Sequence, residues 1–153
     1  MSKKTKFQKG ETQLGLLPEL IGYQLRLAQI AIFRDFTAAL GEQGITPGLF
    51  GVLVIIEANP GLKQSELARA THLDRSTVVS VIDNLERRKL VERRAALTDR
   101  RSNALELTPD GVSLLRKLKR LVAEHEKRLA QNLSEAEQAT LVSLLQKIFP
   151  EQR

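Results

Sequence analysis

Apolar residues recur at helical spacing through most of the chain. Leu20, Ile21, Leu25, Leu27, Ala28, Ala31, Ile32, Phe36 and Leu40 fit one helix that begins near Pro18 and stops near Gly41 and Gly44. Thr46-Pro47 then places a capping hydroxyl before a proline at a first helical turn, which predicts a second helix to about Ala58. Asn59-Pro60-Gly61 is a strong turn. A short helix over residues 64–70 is joined through Thr71-His72-Leu73 to a longer helix, capped by Asp74, that runs to about Lys89.

The period changes after Leu90. Residues 91–94 and 104–107 read as short strands, with Leu105 and Leu107 alternating with Glu106, and residues 95–103 between them as a polar loop. Thr108-Pro109 repeats the start signal and opens a long helix to about Asn132, with Leu114, Leu115, Leu118, Leu121, Val122 and Leu129 on its apolar side. Ser134 and Glu137 have capping-box spacing ahead of a last helix with Leu141, Leu144, Leu145, Ile148 and Phe149. The order predicts a mainly α fold with a small β-hairpin wing: a winged helix-turn-helix lobe plus a helical layer.

The helix after Asp74 has two distinct faces. Val78, Val81, Ile82 and Leu85 stand at i, i+3, i+4 and i+7 and must face a core. The opposite face shows Ser76, Ser80, Asp83 and Arg87, flanked by Thr77, Val79 and Asn84, with Arg75 in the first turn. Short hydrogen-bonding side chains near a helix N-terminus suit entry into a DNA groove, because longer ones would hold the helix out. A generic amphipathic surface helix has the same periodicity, but usually carries Lys and Glu where this one carries Ser and Thr.

Charge sharpens this picture. The chain carries a net +6, and residues 87–101 hold seven cations (Arg87, Arg88, Lys89, Arg93, Arg94, Arg100, Arg101) against Glu92 and Asp99. A basic hairpin directly after a helix-turn-helix is a candidate wing, since neutralising phosphates supplies most of the affinity for DNA. Arg100 and Arg101 fall at the expected tip, where a narrow minor groove favours inserted arginine. Asp99 suits such a loop if it pairs with and orients a neighbouring arginine.

These residues resemble the MarR-type regulators. Asp99-Arg100-Arg101, followed by Leu105-Glu106-Leu107-Thr108-Pro109-Asp110-Gly111, is similar to that family's wing signature, D-R-R and then L-x-L-T-x-x-G. Leu73-Asp74-Arg75-Ser76-Thr77-Val78, continuing through Asp83-Asn84-Leu85-Glu86 to Leu90-Val91, is similar to its recognition helix, and Gln64-Ser65-Glu66-Leu67-Ala68 to the short helix before it. The resemblance implies a homodimer on palindromic double-stranded DNA, usually a repressor relieved by a small-molecule effector. It implies one domain over residues 1–153, with residues 13–41 and 109–153 as dimerisation helices. The DNA-binding lobe is then residues 46–108, with the helix-turn-helix at about 64–89 and the wing at about 91–107.

The DNA contacts implied are Lys63, Gln64, Ser65, Arg75, Ser76, Thr77, Ser80, Arg94, Asp99, Arg100 and Arg101. Two departures stand out. Val79-Ser80 occupies the place of a Thr-Arg pair common in relatives, and Lys63 stands where many have a capping Ser or Thr, which points it to phosphate instead. For the effector, the resemblance points to Tyr23, Arg26, Phe33, Arg34, Phe36 and Phe50. An arginine beside aromatics suits an aromatic acid or its CoA thioester, although Phe33, Phe36 and Phe50 equally suit a core. The segment from Phe50 to Gly61 is similar to a subgroup associated with aromatic-acid catabolism.

The remaining composition mainly excludes. Hydrophobic residues at 42% and charged residues at 27% of 153 describe a globular chain of one domain with room for an oligomerisation element. With no cysteine, disulfides, thiol chemistry and cysteine-based zinc sites are ruled out. His72 reads as a turn residue and His125, within Glu124-His125-Glu126-Lys127, as solvated; neither predicts a metal site. No cofactor is expected. There is no G-x-S-x-G, phosphate-binding glycine loop or H-E-x-x-H, so an enzyme is not expected. The rival reading is a winged-helix module for protein contacts without DNA readout. The lysines of residues 1–9 have no apolar run behind them, so a cytoplasmic location without membrane contact is expected.

Overall fold

A computed structural model describes residues 12–96 and 99–149, and only the backbone of residues 95–96 and 99–103. Its order is α1 (Ile21–Leu40), α2 (Pro47–Ala58), β1 (Leu62–Lys63), α3 (Gln64–Thr71), α4 (Arg75–Arg87), β2 (Val91–Ala96), β3 (Asp99–Leu107), α5 (Pro109–Leu129) and α6 (Glu135–Ile148), with 3-10 turns at Leu17–Glu19 and Gly41–Gln43. This is the helical fold with a small wing that the sequence predicts. No single helix among the described residues is long and apolar enough to cross a membrane.

The chain forms two compact units, divided between Arg34 and Asp35. In the N-terminal unit, the helix expected from Pro18 starts later. Pro18 sits in the 3-10 turn, Leu20 is extended, and α1 begins at Ile21. The Gln24 amide bridges this break by donating to Pro18 O at 2.7 Å.

The second unit, from Asp35, contains the core. Leu40, Val52, Leu53, Ile56, Leu67, Val78, Ile82, Leu85, Leu105, Leu115 and Leu118 are fully buried. Each such side chain contributes roughly 1.5–3 kcal/mol by leaving water. The hydroxyl start signals hold as read. Thr46 accepts from Leu49 N–H, Thr108 from Gly111 N–H and Ser134 from Glu137 N–H. α5 ends at Leu129 rather than Asn132, and a turn at residues 130–133 separates it from α6.

The sheet exceeds the expectation. Its order is β1-β3-β2, all antiparallel, and the two-residue β1 pairs Leu62 with Leu105 and Lys63 with Ala104. Residues 95–103, expected as loop, mostly continue the ladder: Ala95 faces Asn103 and Ala96 faces Asp99. The step between those pairs leaves residues 100–102 as extra residues on β3, a bulge of the kind that bends a hairpin.

His125 is a correction. Its charged neighbours suggest solvent, yet it exposes 1% of its surface. Asp35 and Phe36, ninety residues earlier, enclose it: Nδ1 donates to Asp35 Oδ2 at 2.6 Å and the ring meets Phe36 edge-on at 5.5 Å. Arg128 also reaches Asp35, at 3.3 Å. The His125 bond, then Arg128, hold the Asp35 carboxyl below its ordinary value.

Candidate nucleic-acid interface

α3 and α4 meet at a tight turn. His72 closes α3 in the left-handed region at φ 55°, the turn role expected of it, and its ring meets Phe149 edge-on at 5.3 Å. Asp74 then caps α4, accepting from Thr77 N–H at 2.8 Å. Val78, Ile82 and Leu85 are buried and Val81 is partly buried, which fixes the rotation of the helix. Arg75, Ser76, Val79, Ser80, Asp83 and Arg87 are therefore exposed on its outer side. Ser76, Thr77 and Ser80 line an open groove of about 380 Å³ with Leu49, Val81 and Asn84.

The Asp74 carboxylate does more than cap the helix. It also accepts from the Ser76 hydroxyl at 2.5 Å and the Thr77 hydroxyl at 2.7 Å. These bonds, the Ser76 and Thr77 side chains first, hold its carboxyl far below the usual carboxylate range. Ser80 donates to Ser76 O at 3.1 Å.

The basic segment divides by role. Arg88 donates to Gly44 O at 2.9 Å and Gln43 O at 2.7 Å, which ties the end of α4 to the turn after α1. Arg93 bonds Glu86 and, at 2.7 Å, Asp83, and so latches β2 onto α4. Both cations serve the fold. Arg94 is exposed but held by Glu92 at 2.5 Å and Glu106 at 2.9 Å; the Glu92 bond, then the charge of Glu106, raise its already high value. Any phosphate contact by Arg94 must compete with these two carboxylates.

The other predicted contacts are distributed as follows. Lys63 and Ser65 are exposed at the start of α3. Lys63 N–H donates to Glu66 at 2.8 Å; an ammonium cannot accept, so its side chain is left free of the cap. Gln64 is partly buried, and its Oε1 accepts from Arg93 Nε at 3.4 Å. Asp99, Arg100 and Arg101 lie on the β3 backbone, and their side chains, with the expected Asp99–Arg pairing, lie outside the described residues.

The effector candidates fall in both units. Arg26, Phe33 and Arg34 are exposed on α1, and Tyr23 is partly buried there. In the second unit Phe36 is buried and packs on partly buried Phe50, ring centres 6.4 Å apart, and also on His125. His125 escapes prediction because its partners are remote in sequence. Asp74's wider role was open to prediction, since a capping Asp with hydroxyls two and three residues on can hold both.

A short helix, a tight turn, a longer helix with a short-chained polar face, and a basic hairpin together define a winged helix-turn-helix protein. Residues 43–102 match the MarR family profile. The chain is 42% identical over 130 residues to a candidate transcriptional regulatory protein for the hcr operon of Thauera aromatica, covering 84% of this chain and 78% of that one. It is similar to the transcriptional repressor CouR bound to a 23-mer DNA duplex, with a TM-score of 0.87, 39% identity, and 91% and 99% of the two chains covered. It is also similar to CouR bound to p-coumaroyl-CoA, with a TM-score of 0.84, 37% identity, and 92% and 99% covered. The chain belongs to the MarR family of transcriptional regulators.

Proposed function

We propose that this protein is a ligand-responsive repressor that binds a palindromic DNA operator as a homodimer, in the cytoplasm and without enzymatic activity. The observation that carries the reading is α4: its apolar stripe is locked in the core, so Arg75, Ser76 and Ser80 must face outward. The likeness to CouR on DNA supports it. Residues 46–108 form the DNA-binding lobe, and residues 13–41 and 109–153 the dimerisation helices. The exposed apolar side chains of α1 and α6, Ile30 and Phe33 in one and Leu144 and Ile148 in the other, support a second copy as their cover. The effector is an aromatic acid or its CoA thioester. The likeness to CouR with p-coumaroyl-CoA and the exposed cations Arg26 and Arg34, suited to an anion, support that class.

Binding to genomic fragments, measured by fluorescence anisotropy across a salt series, tests the reading. A sequence-selective complex that weakens steeply with salt is expected. Arg101→Ala should weaken binding to all sequences and lower the salt slope by about two, one for each protomer of the dimer. Adding an aromatic acyl-CoA should release the DNA. Equal binding by wild type and Arg101→Ala would remove the wing from the interface. The absence of any selective complex at moderate salt would leave a protein-contact module.

A further inference from the structure

The first two turns of α4 carry three hydroxyls on the proposed reading face, and a hydroxyl has one proton and two lone pairs. An ionised carboxylate can only accept, so Ser76 and Thr77, at 2.5 and 2.7 Å from Asp74, must both donate to it. Ser80 donates to the Ser76 carbonyl, which likewise only accepts. All three protons point back into the helix end, and the groove is left with lone pairs.

We infer that Asp74 sets the hydrogen-bond polarity of the recognition surface, so that Ser76, Thr77 and Ser80 act as acceptors that read base amino groups. In the major groove those are adenine N6 and cytosine N4. Guanine O6 and N7, thymine O4 and phosphate oxygens are acceptors, and the three hydroxyls have no proton left for them. Contacts to those atoms fall to Arg75 beside them, which only donates. The commitment is firmest at Ser76 and Thr77, bonded to a charge, and weakest at Ser80, whose longer bond is to a neutral carbonyl. Asp74 is thus a positioning residue. The inference rests on the proposed DNA-reading function and adds to it which bases the hydroxyls recognise.

The test begins by selecting preferred duplexes from a random pool with the full chain. In the selected duplex, single adenines are replaced by 2-aminopurine and single cytosines by 2-pyrimidinone, which removes the major-groove amino group. In parallel, purines are replaced by their 7-deaza analogues, which removes the N7 acceptor. At one or more positions, loss of the amino group should weaken wild-type binding about fivefold or more. Ser76→Ala should abolish that sensitivity at its own position while leaving every 7-deaza effect unchanged.

Asp74→Asn adds a readout that a structural role would not move. Asparagine caps a helix nearly as well as aspartate. Its oxygen must keep the Thr77 N–H, so its NH2 replaces the oxygen facing the Thr77 hydroxyl. That hydroxyl then accepts and its proton is released, so preference at its position should move from an amino-bearing base toward guanine or thymine, with the melting temperature little changed. Loss of 7-deaza sensitivity in Ser76→Ala, or indifference of the selected duplex to every amino deletion, overturns the inference while DNA reading stands. Failure to select any duplex overturns both. Should Asp74→Asn not fold, the Ser76→Ala comparison alone decides.

Discussion

Val78, Ile82 and Leu85 in α4 expose 1% of their surface or less, while Leu141, Leu144, Leu145 and Ile148 in α6 expose between 38% and 54%. The two helices have one pattern, apolar residues at i, i+3, i+4 and i+7. Periodicity announces that a helix face needs cover but does not say where the cover lies. For α4 it is in the same chain. For α6 nothing in the described chain buries a residue, and Val142 and Phe149 widen the bare face. That contrast separates the stripe that positions a reading surface from the stripe that supports the proposed dimer.

The contrast can be broken most forcefully in α4. Ile82→Ala should cost about 2–5 kcal/mol, because a closed site cannot collapse around the missing atoms. Urea denaturation at fixed protein concentration measures it, and a loss under about 1 kcal/mol would mean that the stripe is loosely packed. In α6, Leu144→Glu should leave the secondary structure intact and weaken self-association at least tenfold, or about 1.4 kcal/mol. Sedimentation over a concentration series reads that shift; an unchanged dimer would place the interface elsewhere.

A smaller effect belongs to the cap of α6. Ser134→Ala removes the acceptor for Glu137 N–H and should cost about 1 kcal/mol. Its pH dependence has a definite sign. The Ser134 N–H, then its hydroxyl, hold the Glu137 carboxyl below its ordinary value, so the folded state binds protons less readily than the unfolded one. The Glu137 contribution is complete above the ordinary glutamate value and fades as pH falls below it. Parallel unfolding curves should therefore show the gap between wild type and Ser134→Ala narrowing below about pH 4 as the hydroxyl–carboxylate bond is lost, without closing, because the acceptor for Glu137 N–H does not titrate. A gap that widens in acid would contradict the assigned box.

Local chemistry makes much of the fold legible in the sequence. Thr46-Pro47, Thr108-Pro109 and Ser134 with Glu137 each mark a helix start, because a cap needs only residues within one turn. The features that escape depend on remote partners. β1 exists because β3, forty residues on, offers Leu105 and Ala104 to pair with. His125 is buried by Asp35 and Phe36. Arg88 and Arg93 read as free cations and prove to be fastenings, since the carbonyls of Gln43 and Gly44 and the carboxylates of Asp83 and Glu86 claim them. A count of positive charges thus overstates what the hairpin offers to phosphate.

The glycine that closes the L-x-L-T-x-x-G signature has a mechanical meaning. A Cβ on Gly111 would stand inside the Leu90 carbonyl. Thr108 fastens the same spot by donating from its hydroxyl to Lys89 O at 2.6 Å and from its N–H to Leu90 O at 3.1 Å. The root of α5 therefore sits on the strand entry without clearance, as a pivot pressed into its bearing. A tilt of this twenty-one-residue helix toward the strand would meet the Leu90 backbone first, one residue before the hairpin begins at Val91.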